Sequence, residues 1–149
     1  MVDILHRVAM EGATPEAVYE KLTTLDGLAD WWTTDTTGEA GVGGTIDFGF
    51  GQAGFIDMEV VELEPGRFVR WRGGDGGPEE WKGTTVEWTL SQDGDWTVLL
   101  FAHRGWREPV EFMHHCTTKW GAFLQSLKQL VETGEGAPHP RDLQISNWH

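Results

Sequence analysis

The sequence predicts an α+β fold in which a curved antiparallel six-stranded sheet wraps around one long C-terminal helix. Three observations carry that prediction. From Glu108 to Thr133 the apolar residues Cys116, Trp120, Phe123, Leu127 and Leu130 recur at steps of four and three, with Met113, Leu124 and Val131 widening the stripe, which is the spacing of one buried helical face. Between residues 45 and 104 the apolar residues instead alternate with period two, in short runs separated by Gly, Pro and Asp turns. The only other helical patterns are two short ones that directly follow a first strand.

In chain order, Ile4 to Met10 alternates as a strand and stops at Glu11-Gly12. Thr14 is placed to N-cap a helix with Pro15 at its first position and Glu16 against its positive end, and Val18, Leu22 and Leu25 give that helix its apolar stripe. Asp26-Gly27 reads as its break. Leu28 to Trp32 then reads as a second helical turn that plants the Trp31-Trp32 pair, one member of which is expected to be buried. Thr33 to Gly44 is polar and Gly-rich and is expected to be a loop.

Thr45 to Gly51 and Phe55 to Leu63 form a hairpin about Gly51-Gln52-Ala53-Gly54, with Ile46, Phe48, Phe50, Ile56, Met58 and Val60 inward and Asp47, Asp57 and Glu59 outward. Glu64-Pro65-Gly66 turns the chain into Arg67 to Arg72. After a loop over Gly73 to Gly83, Thr84 to Gln92 and Trp96 to Arg104 pair about Asp93-Gly94, with Glu87 outward. Pro109 suits the first turn of the long helix and Gly134 a left-handed cap at its end. Residues 1–134 are therefore read as one domain. Residues 135–149, with Pro138 and Pro140, are read as an irregular tail, held through Ile145 or Trp148.

A chain of 149 residues with 39% apolar and 23% charged residues can bury one core. The formal charge of −13 repels phosphate and so opposes nucleic acid and anionic lipid as partners. Cys116 is the single cysteine, which excludes an intrachain disulfide, and the first ten residues lack a signal-peptide pattern, so the expected location is cytoplasmic. No apolar run approaches the roughly 20 residues of a membrane span.

One helix about 10 Å wide cannot fill the inner face of a sheet about 25 Å across, so a groove between them is geometrically natural. The candidate lining is Phe48, Met58, Trp71, Trp88, Trp120 and Leu124, aromatics that either line a ligand groove or simply fill the core, with His103 at the end of its strand either aimed into the groove or satisfied there by solvent or backbone. His103 and His6 are the candidates for a general base, and no Ser, His and acid arrangement is legible. His114-His115-Cys116 does not make a metal site, because consecutive helical residues point about 100° apart. Gly41 to Gly44 lacks the strand–loop–helix context and the following Lys of a phosphate cradle. No cofactor and no metal are expected.

The order of elements and several strings resemble the START-like (SRPBCC) superfamily with its helix-grip fold, and within it the bacterial single-domain, AHSA1-like relatives of the Hsp90 ATPase activator. The strings are Thr14-Pro15-Glu16-Ala17-Val18-Tyr19, Leu28 with Trp31-Trp32, Gly43-Gly44 before a strand, Glu62-Leu63-Glu64-Pro65-Gly66-Arg67, and Trp120 through Leu127-Lys128 to Glu132-Thr133-Gly134. Each is a signature of architecture. The resemblance implies a groove under the long helix where relatives bind sterols, lipids, polyketides or hormones; a few catalyse cyclisation there, and others act on chaperones. The expected function is binding of a small hydrophobic or aromatic molecule in that groove. A cyclase- or hydrolase-like enzyme in the same cavity and a protein-interaction module are the alternatives, with a second copy of the chain or a chaperone as the protein partner.

Overall fold

The computed structural model describes residues 1–149. Seven strands form one antiparallel sheet: β1 (Val2–Glu11), β2 (Asp35–Gly38), β3 (Thr45–Gly49), β4 (Phe55–Glu64), β5 (Phe68–Gly73), β6 (Thr85–Asp93) and β7 (Trp96–Trp106). The helices are α1 (Pro15–Thr23), α2 (Leu25–Trp31) and α3 (Glu111–Thr133). From β2 to β7 consecutive strands pair with one another, and β1 pairs with β7, giving the order β1-β7-β6-β5-β4-β3-β2 with β1 and β2 at the two edges. Register irregularities between Val60 and Glu62 and between Val2 and Ile4 bend the sheet, as β-bulges do.

The seventh strand is the first departure from the sequence reading. Asp35–Gly38 lies in the stretch expected to be a loop, yet pairs in register with β3, Asp35 opposite Gly49 and Gly38 opposite Ile46. It is a polar edge strand held by its backbone ladder, so it carries no period-two apolar signal. Gly49 has a specific use here, because a Cβ at that position would sit 2.1 Å from the Asp35 carboxylate.

Helix α1 starts as expected: Thr14 Oγ1 accepts a hydrogen bond from the Ala17 N–H at 3.1 Å, and Pro15 follows it. The break after α1 falls at Thr24 and not at Asp26-Gly27. Thr24 is extended, with φ −119° and ψ 146°, and its Oγ1 caps α2 by accepting from the Gly27 N–H at 3.0 Å. Gly27 lies inside α2 and lets the two helices touch, since a Cβ there would come within 2.6 Å of Lys21 Cα. Both Trp31 and Trp32 are buried, where one was expected.

Helix α3 begins at Glu111, so Pro109 precedes it, while Gly134 ends it as a left-handed cap with φ 92° and an N–H donated to Leu130 O at 2.8 Å. Its buried face is Cys116, Trp120, Phe123, Leu124, Leu127 and Leu130. The concave face of the sheet meets it with Phe48, Met58, Val69, Trp71, Val86 and Trp88, and α1 and α2 complete the core with Val18, Leu22, Leu28 and the two tryptophans. On the convex face Arg70 pairs with Glu62 and Glu87, and Arg104 with Glu87 and Asp3. That is the solvated back that the alternation predicts.

The segment after α3 is ordered by polar contacts. Ser126 Oγ donates to Trp31 O and accepts from the Ala137 N–H, each at 2.8 Å. His139 then bridges to Thr33: its N–H donates to Trp32 O at 2.8 Å, and its carbonyl accepts from the Thr34 N–H at 3.1 Å. Beyond Pro140 the chain folds back across the first turns of α3. There Asp142 meets Lys119 at 2.5 Å, and Ser146 Oγ shares a hydrogen bond with His115 Nδ1 at 3.1 Å. Trp148 packs its ring 5.4 Å from that of His115 and stays half exposed.

Candidate ligand cavity

The space under α3 is divided between filled core and open cavity. Trp32, delivered by α2, occupies the centre: its ring lies 4.2 Å from Phe48, 5.0 Å from Trp120 and, stacked at 1°, 6.0 Å from Trp71. Trp88 packs edge-on against Trp71 and Trp31. What remains open is a cavity of about 480 Å³ at the N-terminal end of α3.

Four pieces of chain build it. The β3–β4 turn contributes Phe50, Ala53 and Phe55, and the loop between β5 and β6 contributes Pro78 and Trp81. Helix α3 supplies Phe112, Cys116, Trp120 and Phe123 from positions spaced by three and four, so that they share one face. The final segment closes the remaining side with His139, Asp142, Trp148 and His149, and His115 and Lys119 of α3 point to the same side. The walls are thus aromatic, with the polar groups gathered against the C-terminal segment.

The aromatic wall is held from behind by His103, which is fully buried. The Trp120 indole N–H donates to His103 Nδ1 at 3.2 Å, which leaves the proton on Nε2 to be donated to Thr84 Oγ1 at 2.8 Å. Thr84 Oγ1 in turn donates to Trp81 O at 2.7 Å. Both ring nitrogens are therefore engaged, in the neutral tautomer, and burial lowers the imidazole pKa to about 3. The relay joins the two tryptophans, whose rings stack at 5.7 Å and 16°, into one rigid surface.

Other titratable groups at the site are shifted by their surroundings. Burial pushes the Cys116 thiol up to about 12, so it is a neutral thiol in the cavity wall. Burial, followed by the charges of Lys119 and His149, lowers the His115 pKa. Burial acts to raise the Asp142 carboxyl, but its contacts with Lys119 and His149 outweigh that and hold it below the usual carboxylate range.

Of the residues singled out from the sequence, Trp120 lines the cavity. Phe48, Met58, Trp71, Trp88, Leu124 and His103 are buried in the layer behind it and do not reach its surface. His6 sits between β1 and α3, where its Nε2 contacts Thr117 Oγ1 at 3.1 Å and burial lowers its pKa; it does not reach the cavity either. Neither candidate base lines this cavity. Sequence reasoning missed Trp32, Phe50, Trp81 and the whole C-terminal side. The available signals were the paired aromatics flanking the Gly51–Gly54 turn and the three His/Asp residues clustered after Pro138.

Residues 12–132 match the family model described as Activator of Hsp90 ATPase homolog 1-like protein. The chain belongs to this family. The AHSA1-like assignment agrees with the resemblance read from the strings around Thr14, Trp31 and Pro65, and the helix-grip architecture with it. Among solved structures, the Aha1 dimer from Colwellia psychrerythraea is 44% identical, with 91% of this chain and 100% of that one covered and a TM-score of 0.84. CalU16 from Micromonospora echinospora is 22% identical, covering 93% of this chain and 77% of that chain with a TM-score of 0.71. DynU16, a protein of the dynemicin biosynthetic locus, is 24% identical and covers 90% and 48%, with a TM-score of 0.72. These last two share the fold. No curated protein matches the chain. As in the expectation from hydropathy, no helix is long and apolar enough to cross a membrane.

Proposed function

We propose that this AHSA1-like protein binds a small hydrophobic or aromatic molecule in the cavity beside the N-terminal half of α3. The observation that carries the reading is an opening of about 480 Å³ with aromatic walls, beside a core packed with large aromatic side chains. That volume lies within the range of roughly 300–1,000 Å³ found for small-molecule sites. Trp120 makes the direct contact, and Phe48, Met58, Trp71, Trp88, His103 and Leu124 set the shape of the wall from behind. Cys116 in the wall is held as a neutral thiol by burial, and the Ser146 hydroxyl that hydrogen-bonds His115 is not part of the lining, so the reading is binding. The place of DynU16 in a locus that makes dynemicin supports a small-molecule role for this fold.

The test is an occlusion variant. Ala53 lies at the exposed rim of the cavity, in the turn between β3 and β4, so Ala53→Trp fills the mouth without disturbing the core. Wild-type protein is expected to bind a fluorescent naphthalene probe saturably at one site, and Ala53→Trp to lose that binding while keeping its melting temperature. Equal binding by both proteins would place the probe elsewhere and overturn the assignment.

We also propose that the chain forms homodimers, as the Colwellia protein does. Sedimentation velocity over a concentration series tests it, and a single monomeric species at every concentration would refute it.

A further inference from the structure

The structure points to a second, chemically different site: we propose that His139, Asp142 and His149 bind a divalent transition-metal ion of the zinc class at the polar side of the cavity. The three donor groups come from one folded-back segment, and their ligand atoms lie within 4.8 Å of one another. His139 Nδ1 is 3.3 Å from Asp142 Oδ1, and His149 Nε2 is 3.2 Å from Asp142 Oδ2. A tetrahedral ion with bonds of about 2.0–2.1 Å has ligand–ligand edges of about 3.3–3.4 Å; His139 Nδ1 and His149 Nε2 each stand 3.3 Å from the one oxygen Asp142 Oδ1, and the third edge, between the two imidazoles, lies within 4.8 Å and closes when the ion binds. Two imidazoles and one carboxylate make a nitrogen-rich set suited to Zn²⁺ and its neighbours, unlike the all-oxygen sets taken by Ca²⁺ and Mg²⁺.

The ligands are held in place by bonds made elsewhere. The backbone of His139 is tied to Trp32 and Thr34. The Asp142 side chain is only 3% exposed, and its Oδ2 is a buried acceptor with no hydrogen bond of acceptable geometry, although the Lys119 ammonium stands 2.5 Å away. His149 is fixed through backbone hydrogen bonds with Ile145 and Ser146. The buried carboxylate is thus already organised around a cation, the Lys119 ammonium, whose place beside the two imidazoles a metal ion would take.

Lys119 is the competing charge. It already donates to Leu143 O at 3.0 Å and His149 O at 3.3 Å, so it has acceptors to keep when an ion takes Asp142. Three protein ligands leave a fourth position, and all three residues line the cavity, so a water or an oxygen donor entering the cavity completes the coordination. The chain's net charge of −13 favours cation approach.

The experiment is titration of the full chain, stripped of metal by a chelator, with Zn²⁺ by calorimetry and with Co²⁺ by visible absorption. One equivalent of Zn²⁺ is expected to bind, with the intense bands of four-coordinate Co²⁺ in the parallel titration. His139→Asn, Asp142→Asn and His149→Gln should each weaken Zn²⁺ binding by about tenfold or more, and Lys119→Met should tighten it by about tenfold. His114→Asn, on the exposed side of α3, should leave it unchanged. Amide NMR of the wild-type chain gives a second readout, with shifts expected at residues 139–149. No stoichiometric binding by the wild type, six-coordinate Co²⁺ alone, or equal losses in His114→Asn and His139→Asn would each overturn the assignment.

Discussion

Acidification within the range where carboxylates stay ionised should destabilise the protein through His103. The native state holds this imidazole neutral, with its pKa lowered to about 3 by burial, while the unfolded chain protonates it near the ordinary value of about 6.5. Between those two values the unfolded state binds one more proton than the folded state, so stability rises with pH and is lost as pH falls. The loss is about 1.4 kcal/mol per pH unit, which gives about 2 kcal/mol between pH 7.5 and pH 5. His6 and His115, both also lowered by burial, add to the slope in the same direction. The depressed carboxylates Glu87 and Asp142 contribute mainly below this window, as pH falls below their unfolded values. Urea unfolding followed by tryptophan fluorescence at pH 7.5, 6 and 5 measures the slope, and His103→Gln isolates the part due to His103. The variant is expected to be less stable at pH 7.5 by about 1–3 kcal/mol, because the Trp120 N–H and Thr84 hydroxyl lose their partner, and to be less sensitive to pH by about 2 kcal/mol across the window. A variant with the same pH slope as the wild type would refute the buried, neutral assignment.

Trp120→Ala removes the ring that touches Trp32, Trp81, Phe101 and His103, and should lower stability by about 3–5 kcal/mol in urea unfolding at constant pH. Gly27→Ala should destabilise by about 1–3 kcal/mol even though alanine is the better helix former, because its Cβ meets the α1 backbone; a neutral or stabilising result would mean that α1 and α2 are not in contact there. Cys116, a cavity-lining thiol whose pKa is raised to about 12, should react with a disulfide reagent at neutral pH far more slowly than a free thiol, and labelling at the free-thiol rate would contradict its neutral, desolvated state.

What was legible in the sequence is what periodicity reports. The stripe from Cys116 to Leu130 locates the buried face of α3, and the alternation through Phe48, Met58, Trp71 and Trp88 locates the concave face of the sheet. Two features were not legible because their stability does not come from patterned apolar burial. Strand β2 is a polar edge held by backbone hydrogen bonds, and the α1–α2 boundary depends on the extended backbone and side-chain cap of Thr24. The position of this cavity was not legible for a related reason. Inward-facing positions were expected to line it, but Trp32 enters from α2 and fills the space above Phe48 and Trp71, which moves the opening to the ends of elements. Phe50, Phe55 and Trp81 lie in or beside turns, and His139, Asp142 and His149 lie beyond the last helix, where no period indicates which way a side chain faces. His103 could be placed at a strand end from the sequence. Its engagement by Trp120 and Thr84 depends on pairings between distant residues.

The central claim is that the cavity beside α3 holds a small apolar molecule. Native mass spectrometry of the protein purified without organic solvent, followed by extraction and identification of whatever accompanies it, tests that most directly. The account predicts a one-to-one complex with an apolar or aromatic compound, retained by the wild type and absent from Ala53→Trp. Protein of the bare chain mass, with no change in melting temperature against sterols, fatty acids and aromatic polyketides, would contradict it.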